Sequence, residues 1–335
     1  MLVAGAVLVA TGGANTVGPS TVGPGTGDAA SPNGLPQLGF TVRMSMPQSR
    51  YEDTFRNLRT VGAQWARVGV DRRDPGKADL VARAAAANGI NLLITGTLPE
   101  DQLHGRAPVD VAGYAARMAD TARSLRGRGP GGANPVFEVL NEANGSVPAA
   151  TYTRLTCATD EALRAVDPSI RLIAGSAQMY ISTPHWDSWL QQLLDDGMGK
   201  CIDALDAHDY QDIAWETSTR SALSAMHTML IRHGEGQKPI WLTEFGASTC
   251  PGPIRPGGCY TEQAQAAKIV NTVRELRAHY PYVPVAMVYT DRDIIDASVN
   301  DSFEGSFGIW HTDGQNVAAR PKLAVEALRE LYAGS

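Results

Sequence analysis

From position 35 onward the chain alternates between two hydrophobic periods. Short segments are apolar at nearly every position, at 37–44, 64–70, 91–95 and 136–141, then at 171–175, 204–208, 240–244 and 285–290. Such runs are the pattern of strands covered on both faces. Between them lie longer stretches with apolar residues three or four apart. Examples are YEDTFRNLRTVG, ADLVARAAAANG, VAGYAARMADTARSLRGRG and AATYTRLTCATDEALRAVDP, followed by PHWDSWLQQLLDDG, SALSAMHTMLIRHG, EQAQAAKIVNTVRELRAHYP and PKLAVEALRELYAG. These read as amphipathic helices, and several stop at Gly or just before Pro, where helices end. Eight strand–helix units in strict alternation predict parallel strands joined by right-handed crossovers. Eight units close a barrel, so the expected fold is α/β, a single (β/α)8 TIM barrel over 35–335. An open doubly wound sheet would normally carry G-x-G-x-x-G after its first strand, and none is present.

The preceding stretch has no such period. MLVAGAVLVA is apolar, and residues 11–34 are rich in Gly, Thr, Pro, Ala and Ser. The expectation for 1–34 is a secretory-signal-like segment followed by a linker, although no Lys or Arg precedes the apolar run. Thr11-Gly12-Gly13 ends that run well short of the ~20 apolar residues of a transmembrane helix. A secreted or cell-surface location is therefore expected. Net charge −6 over 335 residues, with scattered Lys and Arg, argues against nucleic acid or a membrane surface as partner. The four cysteines, Cys157, Cys201, Cys250 and Cys259, include no C-x-x-C pair and so argue against zinc. Their even number beside an export-like start predicts two disulfides. Three pairings are possible; Cys157–Cys201 and Cys250–Cys259 are favoured, the second closing the loop PGPIRPGG.

Active sites of such barrels form at the carboxyl ends of the strands. The polar residues expected there are Arg67, Asn141, Glu142, His208, Tyr210, Glu244, Tyr289 and Asp291. Two apolar strands, PVFEVLNEAN and PIWLTEFGAS, each end in a carboxylate. Strands 4 and 7 face each other across a barrel mouth, and their side chains can bring two carboxyl groups to about 5 Å, the separation of a retaining glycosidase. Glu138, four residues before Glu142, shares its strand face and is expected to point inward as an ion-pair partner of Arg67.

These motifs resemble glycoside hydrolase clan A. VLNEAN is similar to that clan's acid/base motif, and WLTEFG to its nucleophile strand. The resemblance implies Glu142 as acid/base, Glu244 as nucleophile, and Asn141 as a ligand of the sugar 2-hydroxyl. DAHDY matches the clan's His-x-Tyr at strand 6, giving His208 and Tyr210, with the Tyr hydrogen-bonded to the nucleophile. Arg67 in WARVGVD matches the strand 2 Arg. YTDRD, FGIWHTDG and RPKLAVEAL resemble the last strand, loop and helix of families 39 and 5. Ala143 stands in place of the usual Pro, ITGT lacks the family 5 His, and Tyr289 replaces a Trp platform; these point away from a family 5 cellulase. The implied activity is retaining hydrolysis of O-glycosidic bonds in a carbohydrate substrate, with no cofactor and no metal.

The same residues allow other readings. A non-catalytic glycan-binding barrel would keep the fold without the carboxyl spacing. A serine hydrolase lacks its elbow, since Gly246-Ala247-Ser248-Thr249-Cys250 fails at the last position. A metal hydrolase lacks H-E-x-x-H. Trp310, in the loop after strand 8, is a candidate sugar platform, with packing as the alternative; Trp186 and Trp215 are weaker platform candidates, and Tyr180 and Tyr289 are candidates to line the cleft. Asp291, Arg292 and Asp293 form a charge run, ordinarily a solvated loop, whose place over the barrel mouth makes Asp291 a candidate substrate contact. Trp65 and Trp241 are expected in the core.

Overall fold

The structure is a computed structural model and describes residues 34–69, 75–178, 186–210, 219–252, 258–294 and 302–333. The apolar leader and linker at 1–33, Tyr180 and Trp215 lie outside the described residues. Eight parallel strands form a closed barrel in chain order. They are β1 (Gln37–Thr41), β2 (Trp65–Gly69), β3 (Asn91–Thr95), β4 (Val136–Glu138), β5 (Leu172–Gln178), β6 (Ala204–His208), β7 (Ile240–Phe245) and β8 (Val285–Val288). The helices are α1 (Tyr51–Thr60), α2 (Pro75–Ala87), α3 (Glu100–Leu103), α4 (Val111–Leu125), α5 (Ala149–Val166), α6 (Trp186–Asp195), α7 (Thr219–Arg232), α8 (Glu262–His279) and α9 (Leu323–Ala333). The sequence pattern thus located all eight strands. It missed the single turn α3 and an antiparallel pair after the barrel, β9 (Trp310–Thr312) with β10 (Ala318–Pro321).

Two hydrophobic layers follow from strand alternation. Outward residues such as Phe40, Ala66, Ile94, Phe137, Leu205 and Leu242 pack under the helices. Inward residues form a separate plug of Trp65, Leu93, Val136, Ile173, Ala204, Trp241, Val285 and Met287. The Trp65 and Trp241 rings meet edge to face at 4.8 Å, so both tryptophans are core residues as expected. Two residues further along the same strands the inward face becomes polar: Trp65 gives way to Arg67, Leu93 to Thr95, Val136 to Glu138, Ala204 to Asp206 and Trp241 to Thr243. Because side chains repeat every second residue, one apolar plug therefore carries a polar layer directly above it.

Several strands end earlier than their apolar runs. The run at 136–141 is a strand only to Glu138; Val139 N–H still reaches Ile173 O (3.2 Å), and the chain then turns. The run at 285–290 is a strand only to Val288. β5 is longer than its run because Gly175, at φ +99, lets the strand bulge between Ala174 and Ala177 and continue. Gly246 packs the exit of β7 against β8, since a Cβ there would lie 2.4 Å from Tyr289 O. Asp110 caps α4 and Thr261 caps α8 through their side-chain oxygens. Among the described residues no helix is long and apolar enough to cross a membrane.

Both disulfides have the favoured pairing. Cys157–Cys201 ties α5 to the turn entering β6, and Cys250–Cys259 closes the loop after β7. Their separations in sequence are 44 and 9 residues. Loop-closure entropy then predicts that replacing Cys157 and Cys201 together by Ser lowers the unfolding free energy by about 4 kcal/mol, against about 3 kcal/mol for the Cys250/Cys259 pair. Urea titration of the two double variants measures the difference.

Candidate active site

A cavity of about 310 Å³ opens at the carboxyl ends of the strands, lined by Thr41, Arg43, Arg67, Gly69, Thr95, Asn141, Glu142, Tyr210, Glu244, Tyr289, Glu304 and Phe307. Six of the sequence-predicted residues are in this lining: Arg67, Asn141, Glu142, Tyr210, Glu244 and Tyr289. His208 stands directly behind it.

Arg67 organises the floor. It projects from β2 and is almost fully buried. Its Nε and Nη2 donate to the two oxygens of Glu138 at 2.6 and 2.7 Å, a bidentate pair. Nη2 also donates to Asn141 Oδ1 (2.7 Å), and Nη1 donates to Glu244 Oε1. Glu138 is thus the inward partner of Arg67 that strand alternation anticipated. Burial penalises its charge, but the Arg67 guanidinium outweighs that and holds the carboxyl down at about 2. Thr95 Oγ1 donates to the same carboxylate (2.6 Å). Asp206, fully buried on β6 and bonded by Thr243, behaves oppositely. Burial, then the adjacent Glu138 charge, push it well above the usual carboxylate range. Asp206 is a neutral acid beside an ionised one.

The two catalytic candidates are mounted differently. Glu244 sits within β7 and is nearly buried. It receives Arg67 on one oxygen and the Tyr210 hydroxyl on the other. Glu142 lies past the end of β4, in the left-handed region at φ 47. That conformation is uncommon for a residue with a side chain and costs on the order of 1 kcal/mol. It is held by its own N–H to Ser176 Oγ (3.2 Å) and by His208 Nδ1 to Oε1 (2.9 Å). Its carboxyl is more open than that of Glu244, at 24% against 7% side-chain exposure. His208 Nδ1 is 3.6 Å from Glu244 Oε2, and one oxygen of each Glu and one His208 nitrogen all lie within 4.8 Å of one another.

His208 bonds through both nitrogens, with Nε2 3.1 Å from Ser176 Oγ. Burial disfavours its charged form, but the field of Glu244 and the bond to Glu142 prevail and push it up to about 9. Asn141 has its oxygen committed to Arg67, which leaves its NH2 group turned away from the guanidinium. Tyr210, Tyr289 and Phe307 form an edge-to-face triangle with ring centroids 5.5–6.1 Å apart.

Two sequence expectations are corrected. Trp310 is buried in the hydrophobic core. It opens β9, pairs with Pro321, and offers no exposed face to a sugar. Asp291 is also buried, because Arg292 folds inward, bonds it at 2.7 Å, and ties the segment to Arg43 O (2.6 Å). That charge run is an internal brace rather than a solvated loop. Trp186 packs partly buried against the core. The sequence reading missed Arg43, Ser176, Asp206, Glu304 and Phe307. Asp206 was findable, being two residues before His208 on the same strand face.

Among the described residues, two groups of ligand atoms lie close enough to contact a cation, Glu138/Asp206/His208 and Glu142/His208/Glu244. Arg67 already donates to Glu138 in the first group and to Glu244 in the second, so a guanidinium supplies positive charge to both.

No protein-family model matches the sequence, and no curated protein matches it. The fold does have solved counterparts. A family 39 glycoside hydrolase from Bacteroides cellulosilyticus WH2 superposes with a TM-score of 0.68 at 19% identity, over 90% of this chain and 64% of that one. A GH2 β-galacturonidase from Eisenbergiella tayi, bound to galacturonate, gives 0.63 at 16% identity, over 90% and 52%. GH5_18 from Streptomyces cattleya, in complex with GlcNAc, gives 0.64 at 16% identity, over 88% and 79%. The chain thus spans between about half and four fifths of these proteins. The fold is the (β/α)8 barrel of these glycoside hydrolases. It agrees with the clan A resemblance of the strand-end motifs.

The His208 shift has a consequence for stability. A histidine raised from 6.5 to about 9 contributes stability that is fully present below pH 6.5 and is lost as pH rises through about 9. The unfolding free energy should therefore fall by on the order of 3 kcal/mol between those limits. A series of urea titrations from pH 6 to 10 reads this slope, and His208→Gln should flatten it.

Proposed function

We propose that the protein is a secreted retaining glycoside hydrolase, with Glu244 as nucleophile and Glu142 as acid/base. One observation carries this reading: carboxyl oxygens of Glu142 and Glu244 lie within 4.8 Å of each other at the floor of an open cavity. Retaining enzymes need about 5–5.5 Å between their two carboxyl groups, whereas inverting enzymes leave room for a water at about 6.5–9.5 Å. The same closeness weighs against a non-catalytic glycan-binding barrel. The solved glycoside hydrolases of the same fold support the reaction class.

The roles divide by environment. Glu244 is fixed by Arg67 on one oxygen and by Tyr210 on the other, in the lining of the cavity. It attacks the anomeric carbon while Glu142 gives a proton to the departing glycosidic oxygen. The first step leaves Glu244 esterified to the sugar and Glu142 as a carboxylate. Glu142 then takes a proton from water, whose oxygen attacks the same carbon and releases Glu244. His208, bonded to Glu142 and backed by Ser176, keeps the acid/base turned toward the cavity through both steps. Asn141 Nδ2 is the donor for a sugar hydroxyl. The two disulfides suit an oxidising, extracellular setting.

Glu244→Gln should abolish turnover, and azide should restore glycosyl transfer in Glu244→Ala by filling the nucleophile's place. Glu142→Ala should lose about 10²–10⁴-fold on substrates with poor leaving groups and far less on activated aryl glycosides, which need no proton. Proton NMR of the first-formed sugar must show retained anomeric configuration; an inverted product, or most activity surviving in Glu244→Gln, overturns the assignment. Activity should be unchanged by EDTA, in keeping with a site neutralised by Arg67.

A further inference from the structure

Arg43 and Glu304 are charged groups of the cavity wall that the proposed chemistry does not use. Arg43 lies two residues beyond β1, and Glu304 opens a helical turn (Glu304–Ser306) after β8. Tyr289 joins them. Its hydroxyl, kept protonated by burial, donates to Glu304 Oε1. Arg43 Nη2 is 3.1 Å from the Tyr289 oxygen and 3.5 Å from Glu304 Oε1. The Tyr289 ring packs edge to face on Tyr210, which bonds the candidate nucleophile, so this wall stands one ring away from Glu244. The side chains of Arg43 and Glu304 remain 37% and 41% exposed while lining the cavity.

We propose that Arg43 and Glu304 form the specificity wall of the site, binding a neutral sugar by two neighbouring hydroxyls and turning away a uronate. This rests on the glycosidase reading above. Adjacent hydroxyls present both a donor and an acceptor, and the wall offers the complement: Glu304 accepts from one, and Arg43 donates to the other. A carboxylate seated on Arg43 would face Glu304 across the same guanidinium nitrogen. Like charges placed so closely reject the ligand however good its contact with Arg43. The wall thus discriminates by repulsion as well as attraction.

The test compares binding and turnover in one set of proteins. Calorimetry on the full chain would use glucose, galactose, mannose and xylose against glucuronate and galacturonate, and kinetics would use the matching aryl glycosides. At least one neutral sugar should bind about tenfold or more tightly than its uronate counterpart. Glu304→Gln removes the repelling charge and should bring that ratio down by about tenfold, while Arg43→Met should raise KM for the neutral glycoside with kcat little changed. Both side chains are partly exposed, and an unaltered melting temperature would confirm that the variants fold. Equal or tighter binding of the uronates, an unchanged ratio in Glu304→Gln, or no binding of any neutral sugar overturns the wall. Faster cleavage of uronides overturns the wall and leaves the glycosidase reading intact. Discriminating binding without hydrolysis of any glycoside does the reverse.

Discussion

The structure turns on one buried guanidinium. Arg67 lies at the barrel mouth, and four of its N–H donors reach Glu138, Asn141 and Glu244. A polar layer placed above an apolar plug must settle its own charge, because the side chains beneath it offer no polar partner. An arginine does this where a lysine could not. The planar fork meets Glu138 bidentately and still has an edge for Glu244, whereas an ammonium is a single point of charge. Removing it would leave Glu138 buried with its principal counter-charge gone, a loss of about 3–5 kcal/mol for a pair of this kind. The same bonds that make the layer tolerable also aim Glu244.

Protons complete what Arg67 begins. Two inward carboxyl groups, Glu138 and Asp206, cannot both be charged a few ångströms apart, so one ionises against Arg67 and the other keeps its proton. His208, two residues along from Asp206, lies between the acids of the floor and those of the cavity, and the field of Glu244 and the bond to Glu142 favour its charged form. The histidine that positions Glu142 therefore belongs to the same electrostatic unit as the arginine that positions Glu244. A change at any member shifts the others, which is the behaviour of coupled sites rather than of independent residues.

The barrel and most of this unit were legible in the sequence because strand alternation is a strong rule. Eight apolar runs located eight strands, and the polar residues toward their carboxyl ends pointed to Arg67, Asn141, Glu142, His208 and Glu244. Period-two spacing alone placed Glu138 inward, and it would have placed Asp206 as well. What escaped was set by loops. Ser176 reaches Glu142 and His208 only because β5 bulges at Gly175 and runs on. Arg43 and Glu304 meet through Tyr289, across more than 240 residues of chain. Trp310 and Asp291 looked like mouth residues from their position after β8, but the β9–β10 pair and the inward fold of Arg292 bury them. Position after a strand marks who can reach the mouth; only the path of the following loop decides who does.

The path after β4 is the instructive case. Glu138 and Glu142 are four residues apart, and an extended strand would separate them by about 13 Å along the barrel axis. Arg67 bonds both Glu138 and Glu244, so the nucleophile candidate lies within one arginine fork of the Glu138 level. A straight continuation of β4 would carry Glu142 well above Glu244, out of range for a shared anomeric carbon. The chain instead stops being a strand at Glu138, brings Asn141 back onto Arg67, and places Glu142 in a left-handed turn pinned by Ser176 and His208. The local cost at φ 47 is what lowers the carboxyl to the nucleophile's level. The left-handed residue and the separation within 4.8 Å are two descriptions of one geometric requirement, and the early end of β4 is its sign just upstream.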